Sequence, residues 1–267
     1  MHARPPVTPV PVDPSPVRRR GRRPAVRLAG AAAAVVLLLA GCALPETPFS
    51  RAGAPRTAAP TSTAVPEAGQ RLGDGGTSVA EFRQDVEDAR SSVEAYWRTA
   101  LPAQGRRFQP VSRFIGYQGA REVSCAGTPL GLNNAAYCPV GDFIAYDLNW
   151  AVGQFRRIGD AFIFYLVGHE YGHAVQQRLG IRHQFTIQQE LQADCMAGAW
   201  INESVAQKAL QLQGGDLDEL RRGLLAVADD PDQPWFAPGA HGSARERTDA
   251  FFKGFRGELD TCELAGP

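Results

Sequence analysis

Residues 159–180, GDAFIFYLVGHEYGHAVQQRLG, constrain this chain more than any other stretch. They contain no proline and close on Gly180, a residue type that ends helices readily. Phe162, Tyr165, Leu166, His169 and His173 recur at three- and four-residue spacing, so one helix with one stripe is expected. That stripe carries two histidines four positions apart, with Glu170 beside the first. It is either a metal site or an ion-paired helix face.

Four residues make a little over one helical turn, so His169 and His173 point the same way, one above the other. Two imidazoles so placed can both reach one ion at about 2.0–2.1 Å. Glu170 is turned about 100° from His169 and lies beside such an ion without binding it. From there it can take a proton from water at the ion, whose pKa zinc lowers to about 7. The chain has only five histidines, which makes a chance His-Glu-x-x-His unfavourable odds. Two imidazoles and a carboxylate suit zinc.

A catalytic zinc needs a third protein ligand and a position left for solvent. His183, His241 and carboxylates on the next helix are the candidates. IQQELQADCMAG offers Glu190 and Asp194, again four apart on one face. Apolar Leu191, Ala193, Cys195 and Met196 around them argue for burial, and a buried carboxylate needs a partner. Glu190 is expected to bind the metal and Asp194 to accept the other ring N–H of a bound histidine. His183, in the loop after Gly180, is expected not to be a ligand.

The first 41 residues do not read as fold. A polar, Pro-rich start leads through Arg18, Arg19, Arg20, Arg22, Arg23 and Arg27 to the apolar run AGAAAAVVLLLAG and Cys42. This is the order of a secretory leader, and it is short for a membrane span. Leu39-Ala40-Gly41-Cys42 also has the form of a lipobox, in which Cys42 would be lipidated. The expected location is an exported lipoprotein on the outer face of the cell membrane; the alternatives are simple secretion or a retained anchor. Residues 42–77 are rich in Pro, Ala, Thr, Ser and Gly and are expected to form a disordered tether spanning about 30 Å. Residues 1–41 hold seven of the 28 basic and one of the 28 acidic residues, leaving 21 and 27 and a formal net charge of −6. A mildly acidic domain argues against nucleic acid as the partner.

Four cysteines follow Cys42: Cys125, Cys138, Cys195 and Cys262. An exported chain with an even count suggests two disulfides. Three pairings exist. Cys125–Cys138, close across a Gly/Asn-rich loop, leaves Cys195–Cys262. No C-x-x-C spacing marks them as zinc ligands.

The domain is expected to run from Ser78 to residue 267. Ser78 and Glu81 have capping-box spacing, and Phe82, Val86, Ala89, Val93, Tyr96 and Trp97 predict a helix to about Leu101. FQPVSRFIGY, AAYC and FIAYDL read as a small sheet, the last two as a hairpin. Helices are expected from 187 to about 212, from 217 to 227, and after the Ser243/Glu246 capping pair. The expected fold class is α+β, mainly helical, with a small sheet packed near the His-Glu-x-x-His helix.

HEYGHAVQ, ELQADCMAG and HGSARERTDAFFKGF, taken in order, resemble the bacterial putative neutral zinc metallopeptidase family, with the likeness running from about Tyr117 to Cys262 and including YCPVGDFIAYDL. The resemblance implies a zincin-like domain with a gluzincin-like site: His169, His173 and Glu190 on one zinc ion, Glu170 as general base, Asp194 behind a histidine. Ala174 stands where the family often has another histidine. The likeness also draws attention to His241 as a donor to the oxyanion of peptide hydrolysis; Tyr146, Tyr165 and Tyr171 are alternatives. The strand Phe143–Leu148 is expected to offer an edge to an extended peptide. The expected function is zinc-dependent hydrolysis of a peptide or protein by an exported, lipid-anchored enzyme. The alternatives are a zinc-stabilised binding module without catalysis and an amidase acting on cell-wall peptide.

Overall fold

The computed structural model describes residues 70–71 and 78–264. The leader expected over residues 1–41, lipidation at Cys42 and most of the tether over 42–77 lie outside them. Among the described residues no helix is long and apolar enough to cross a membrane.

Gln70–Arg71 (β1) falls within the segment assigned to the tether, yet pairs in parallel with Leu210–Gln211 (β7). Backbone pairing of this length leaves no trace in composition. Helix α1, Val79–Ala103, starts on the expected capping box: Ser78 Oγ accepts the Glu81 N–H at 3.1 Å and Glu81 Oε2 accepts the Ser78 N–H at 2.9 Å. Its buried face is Phe82, Val86, Ala89, Val93, Tyr96, Trp97 and Leu101, the predicted stripe.

Strand β2 is Arg113–Tyr117, shorter than the ten-residue run expected there, and a small hairpin of β3 (Ser124–Cys125) and β4 (Thr128–Pro129) follows. Strand β5, Ala135–Cys138, and β6, Phe143–Asp147, form the expected antiparallel hairpin. The sheet order is β2-β6-β5, with β2 parallel to β6. Strand β6 is therefore central and cannot offer an edge; β5 is the edge strand on the site side. This corrects the expectation for Phe143–Leu148. An apolar run reads the same at a sheet's centre as at its margin, and only the pairing distinguishes them.

Helix α2, Leu148–Ile158, follows β6 without a loop and was not expected. Its start is set by Asp147, whose Oδ1 accepts the N–H groups of Asn149 and Trp150 at 3.0 and 3.3 Å. A carboxylate at this position satisfies helix donors that otherwise have none. The central helix α3, Ala161–Leu179, ends on Gly180 in the left-handed conformation (φ 73°). Helix α4 is Thr186–Ala206, stopping short of the predicted residue 212; α5 is Asp216–Ala226 and α6 is Ala244–Gly257.

Helices α3, α4 and α6 form the centre of the molecule, and two glycines let their backbones approach. A Cβ on Gly172 would sit 3.0 Å from Ala193 Cα, and one on Gly254 would overlap the Cys195 carbonyl oxygen. Both disulfides have the expected pairing, Cys125–Cys138 and Cys195–Cys262. The second closes a span of 67 residues and ties α4 to the end of the chain after α6. In the chain-entropy account a loop of that size is worth about 4 kcal/mol.

Candidate metal centre

Helix α3 is buried for nearly its whole length, and His169 and Glu170 are buried with it. Close packing at Gly172 brings α4 near enough for Glu190 to reach both histidines. His169 Nε2 lies 3.1 Å from Glu190 Oε2, His173 Nε2 lies 3.5 Å from Glu190 Oε1, and the two Nε2 atoms are 3.2 Å apart. Ligands about 2.0–2.1 Å from a tetrahedral ion are separated by about 3.3 Å, so these spacings suit one small cation.

The hydrogen bonds behind the rings decide what those nitrogens offer. His169 Nδ1 is 2.8 Å from Asp194 Oδ1 and His173 Nδ1 is 2.9 Å from Gln176 Oε1. Both partners are acceptors, so each Nδ1 carries the proton and each Nε2 presents a lone pair. Three electron-rich atoms then face one another across hydrogen-bond distances. One proton bridges two of them; a divalent cation satisfies all three. The donor set therefore fits zinc.

The electrostatics agree. Burial alone disfavours the His169 cation, but Asp194 and Glu190 raise its pKa to about 10. His173 is likewise raised against burial, chiefly by Glu190. Burial pushes the Glu190 carboxyl up, and the two histidines more than reverse this, holding it well below its usual range. The three residues together favour a positive charge between them.

Asp194 is fully buried and serves three partners. Tyr165 Oη donates to its Oδ1 at 2.8 Å, and Arg247 donates from Nε to Oδ2 at 2.9 Å and from Nη2 to Oδ1 at 3.0 Å. Burial would raise this carboxyl, but Arg247 and His169 keep it lowered and ionised. Arg247 also donates to the Val227 carbonyl at 2.8 Å. Arg247 was not singled out from the sequence, although its place on α6, four residues before buried Phe251, puts an arginine on the helix face that packs inward.

Glu170 Oε2 accepts the Tyr137 N–H of edge strand β5 at 2.8 Å. That bond fixes the carboxylate at the wall of a cleft of about 740 Å³. His169, His173 and Glu190 lie in it with Glu170, and the walls include Ala135–Tyr137 on one side and Ala226–Asp229 on another.

His241 also lines this cleft, exposed, with its N–H donating to Asp229 Oδ2 at 2.6 Å and its Nδ1 3.2 Å from Asp229 Oδ1. Of the three tyrosines, Tyr165 lines the cleft but spends its hydroxyl on Asp194 and Arg247. The Tyr171 hydroxyl accepts the Val111 N–H at 3.3 Å, and Tyr146 packs against Phe82. His183 Nε2 is 3.0 Å from Gln192 Oε1.

The profile of the putative neutral zinc metallopeptidase family matches residues 27–264. The protein YpfJ of Escherichia coli K12, described as uncharacterized, is 27% identical over 201 residues, 66% of this chain and 69% of that one. The uncharacterized proteins Mb2605 of Mycobacterium bovis and Rv2575 of Mycobacterium tuberculosis are each 30% identical over 202 residues, 65% of this chain and 67% of theirs. No solved structure gives a significant match. The match of the family profile across most of the chain makes this protein a member of the putative neutral zinc metallopeptidase family.

Proposed function

We propose that this protein is a zinc-dependent peptidase with His169, His173 and Glu190 as metal ligands and Glu170 as general base. The observation that carries this is the convergence of three lone-pair donors at 3.1–3.5 Å beside a fixed carboxylate in an open cleft. A structural zinc site is closed by a fourth protein ligand and needs no such carboxylate.

A zinc ion here would supply Lewis acidity toward a carbonyl and acidify a water molecule. Asp194 and Gln176 fix the two imidazoles in the tautomer that leaves Nε2 available. Glu170, oriented by the Tyr137 N–H, takes a proton from the attacking water and returns it to the leaving amine nitrogen. In β5 the main-chain groups of Tyr137 and Ala135 face away from β6, since they alternate along an antiparallel strand. Tyr137 directs its N–H to Glu170, leaving Ala135 to pair with an extended peptide. His241, steadied by Asp229 at the cleft wall, is the donor assigned to the developing oxyanion.

The substrate is a peptide or protein. Residues 1–41 act as a lipoprotein leader, Cys42 as the lipid-bearing residue and the following stretch as the tether to the membrane. The two disulfides accord with an oxidising compartment. A peptide library incubated with the purified chain tests the assignment. Turnover should be abolished by chelation, restored by zinc, and reduced at least a thousandfold in Glu170→Gln with zinc content unchanged. Turnover that survives in Glu170→Gln removes the base from the mechanism.

A further inference from the structure

A cation in the cleft takes no part in the chemistry above. Arg182, in the loop after α3, is exposed and lines the cleft. Its Nη1 donates to the Ile181 carbonyl at 2.8 Å and its Nη2 donates to Gln177 Oε1 at 2.9 Å. Gln177 also lines the cleft and follows His173 by four residues, so it stands one helical turn, about 6 Å, further along the same face of α3. Gln189 lines the cleft too, and its Nε2 donates to Gln176 Oε1 at 2.6 Å, which places it beside the same turn. Beyond His173 the cleft therefore carries two neutral amides and a guanidinium. Among the described residues no carboxylate ion-pairs with Arg182. Arg247, the other guanidinium lining the cleft, is spent on Asp194. Of the acids there, Glu190 faces the two histidines and Asp229 accepts the N–H groups of His241 and Gly242. Arg182 is left as the uncompensated charge at its end of the cleft.

We propose that Arg182, held by Gln177, is a specificity-determining residue that takes a carboxylate of the substrate peptide, from an Asp or Glu side chain or from the C-terminus. This rests on the peptidase reading. An extended chain advances about 3.3 Å per residue, so a group one helical turn beyond His173 meets the substrate about two to three residues from the bond cleaved. A guanidinium fork matches a carboxylate through two parallel N–H bonds, and Arg182 has donors left after its two internal bonds. Those two bonds order the side chain before a peptide arrives, which lowers the entropy cost of the contact. The position is exposed, so water and salt screen the pair and its effect is modest.

Pools of short peptides test this on the zinc-loaded full chain: rich in Asp and Glu or in Asn and Gln, each with a free or an amidated C-terminus. Mass spectrometry of the products locates the cuts, and kcat/KM ranks the pools. Carboxylate-bearing pools should be preferred about three- to fivefold, with the carboxylate at the stated distance from the cut and the preference shrinking in high salt. A preference set by residue type assigns the side chain, and one set by amidation assigns the terminus. Arg182→Lys should keep part of the preference. Arg182→Glu should turn it toward pools rich in Lys and Arg, a reversal that a structural role for Arg182 would not give. Anisotropy of dye-labelled pools bound to Glu170→Gln should show the same ranking without turnover. A chain that binds carboxylate pools preferentially but cuts none contradicts the peptidase reading and leaves the role of Arg182 standing. Absence of the preference in both assays, or its persistence in Arg182→Glu, overturns the proposal.

Discussion

His169 and Asp194 sit 2.8 Å apart on neighbouring helices, and the carboxylate that orients this ring is itself clamped by Arg247. The candidate metal centre is thus held from behind by a buried ion pair joining α3, α4 and α6. Asp194→Asn leaves the Arg247 cation buried with its main partner gone. The expected loss is about 3–5 kcal/mol of stability and about 10–100-fold in zinc affinity. Denaturant unfolding and zinc competition measure the two separately. An Asp194→Asn chain with wild-type stability would show that the clamp is incidental.

Gly172 sets how near α4 comes to α3. A Cβ there meets the Ala193 Cα at 3.0 Å, and a larger side chain cannot be accommodated without moving a backbone. Gly172→Val should therefore push Glu190 from the histidines, lowering zinc affinity more than tenfold and stability by about 1–3 kcal/mol. Zinc competition and circular dichroism on the folded variant check both. Unchanged zinc affinity would mean that the glycine contact does not position Glu190.

Burial, Glu219, Asp216 and Asp85 raise the Asp160 carboxyl from 3.8 to about 7, with its own backbone N–H opposing. Its folded value lies above its unfolded one, so ionisation opposes folding. The group costs nothing below about pH 4, and the penalty grows as pH rises from there to about 7. Asp160→Asn should gain on the order of 2 kcal/mol at pH 8 and nothing at pH 4. Urea titrations at the two pH values decide it; an equal effect at both would remove ionisation as the cause.

The parts of this molecule legible in its sequence are those where local chemistry and periodicity coincide. His169, Glu170 and His173 sit on an uninterrupted helical pattern, and the capping pairs Ser78/Glu81 and Ser243/Glu246 mark real helix starts. Glu190 and Asp194 were readable because two acids four apart in an apolar segment need partners. Helix α2 was hidden because β6 passes into it through Asp147 with no glycine or proline between. Arg247 was hidden because its value lies in contacts with residues 53 and 82 positions away. The edge role of β5 was hidden for the same reason, since strand order is a property of pairing. The meeting of Asp160, Asp216 and Glu219 was hidden likewise, since nothing local connects them.

Zinc content tests the central claim most directly. The purified chain should carry about one zinc ion, with X-ray absorption reporting two imidazoles and a carboxylate, and Glu190→Ala should lose most of the metal while remaining folded. A wild-type chain that takes up no zinc, or a Glu190→Ala chain that keeps it with undiminished affinity, contradicts the assignment.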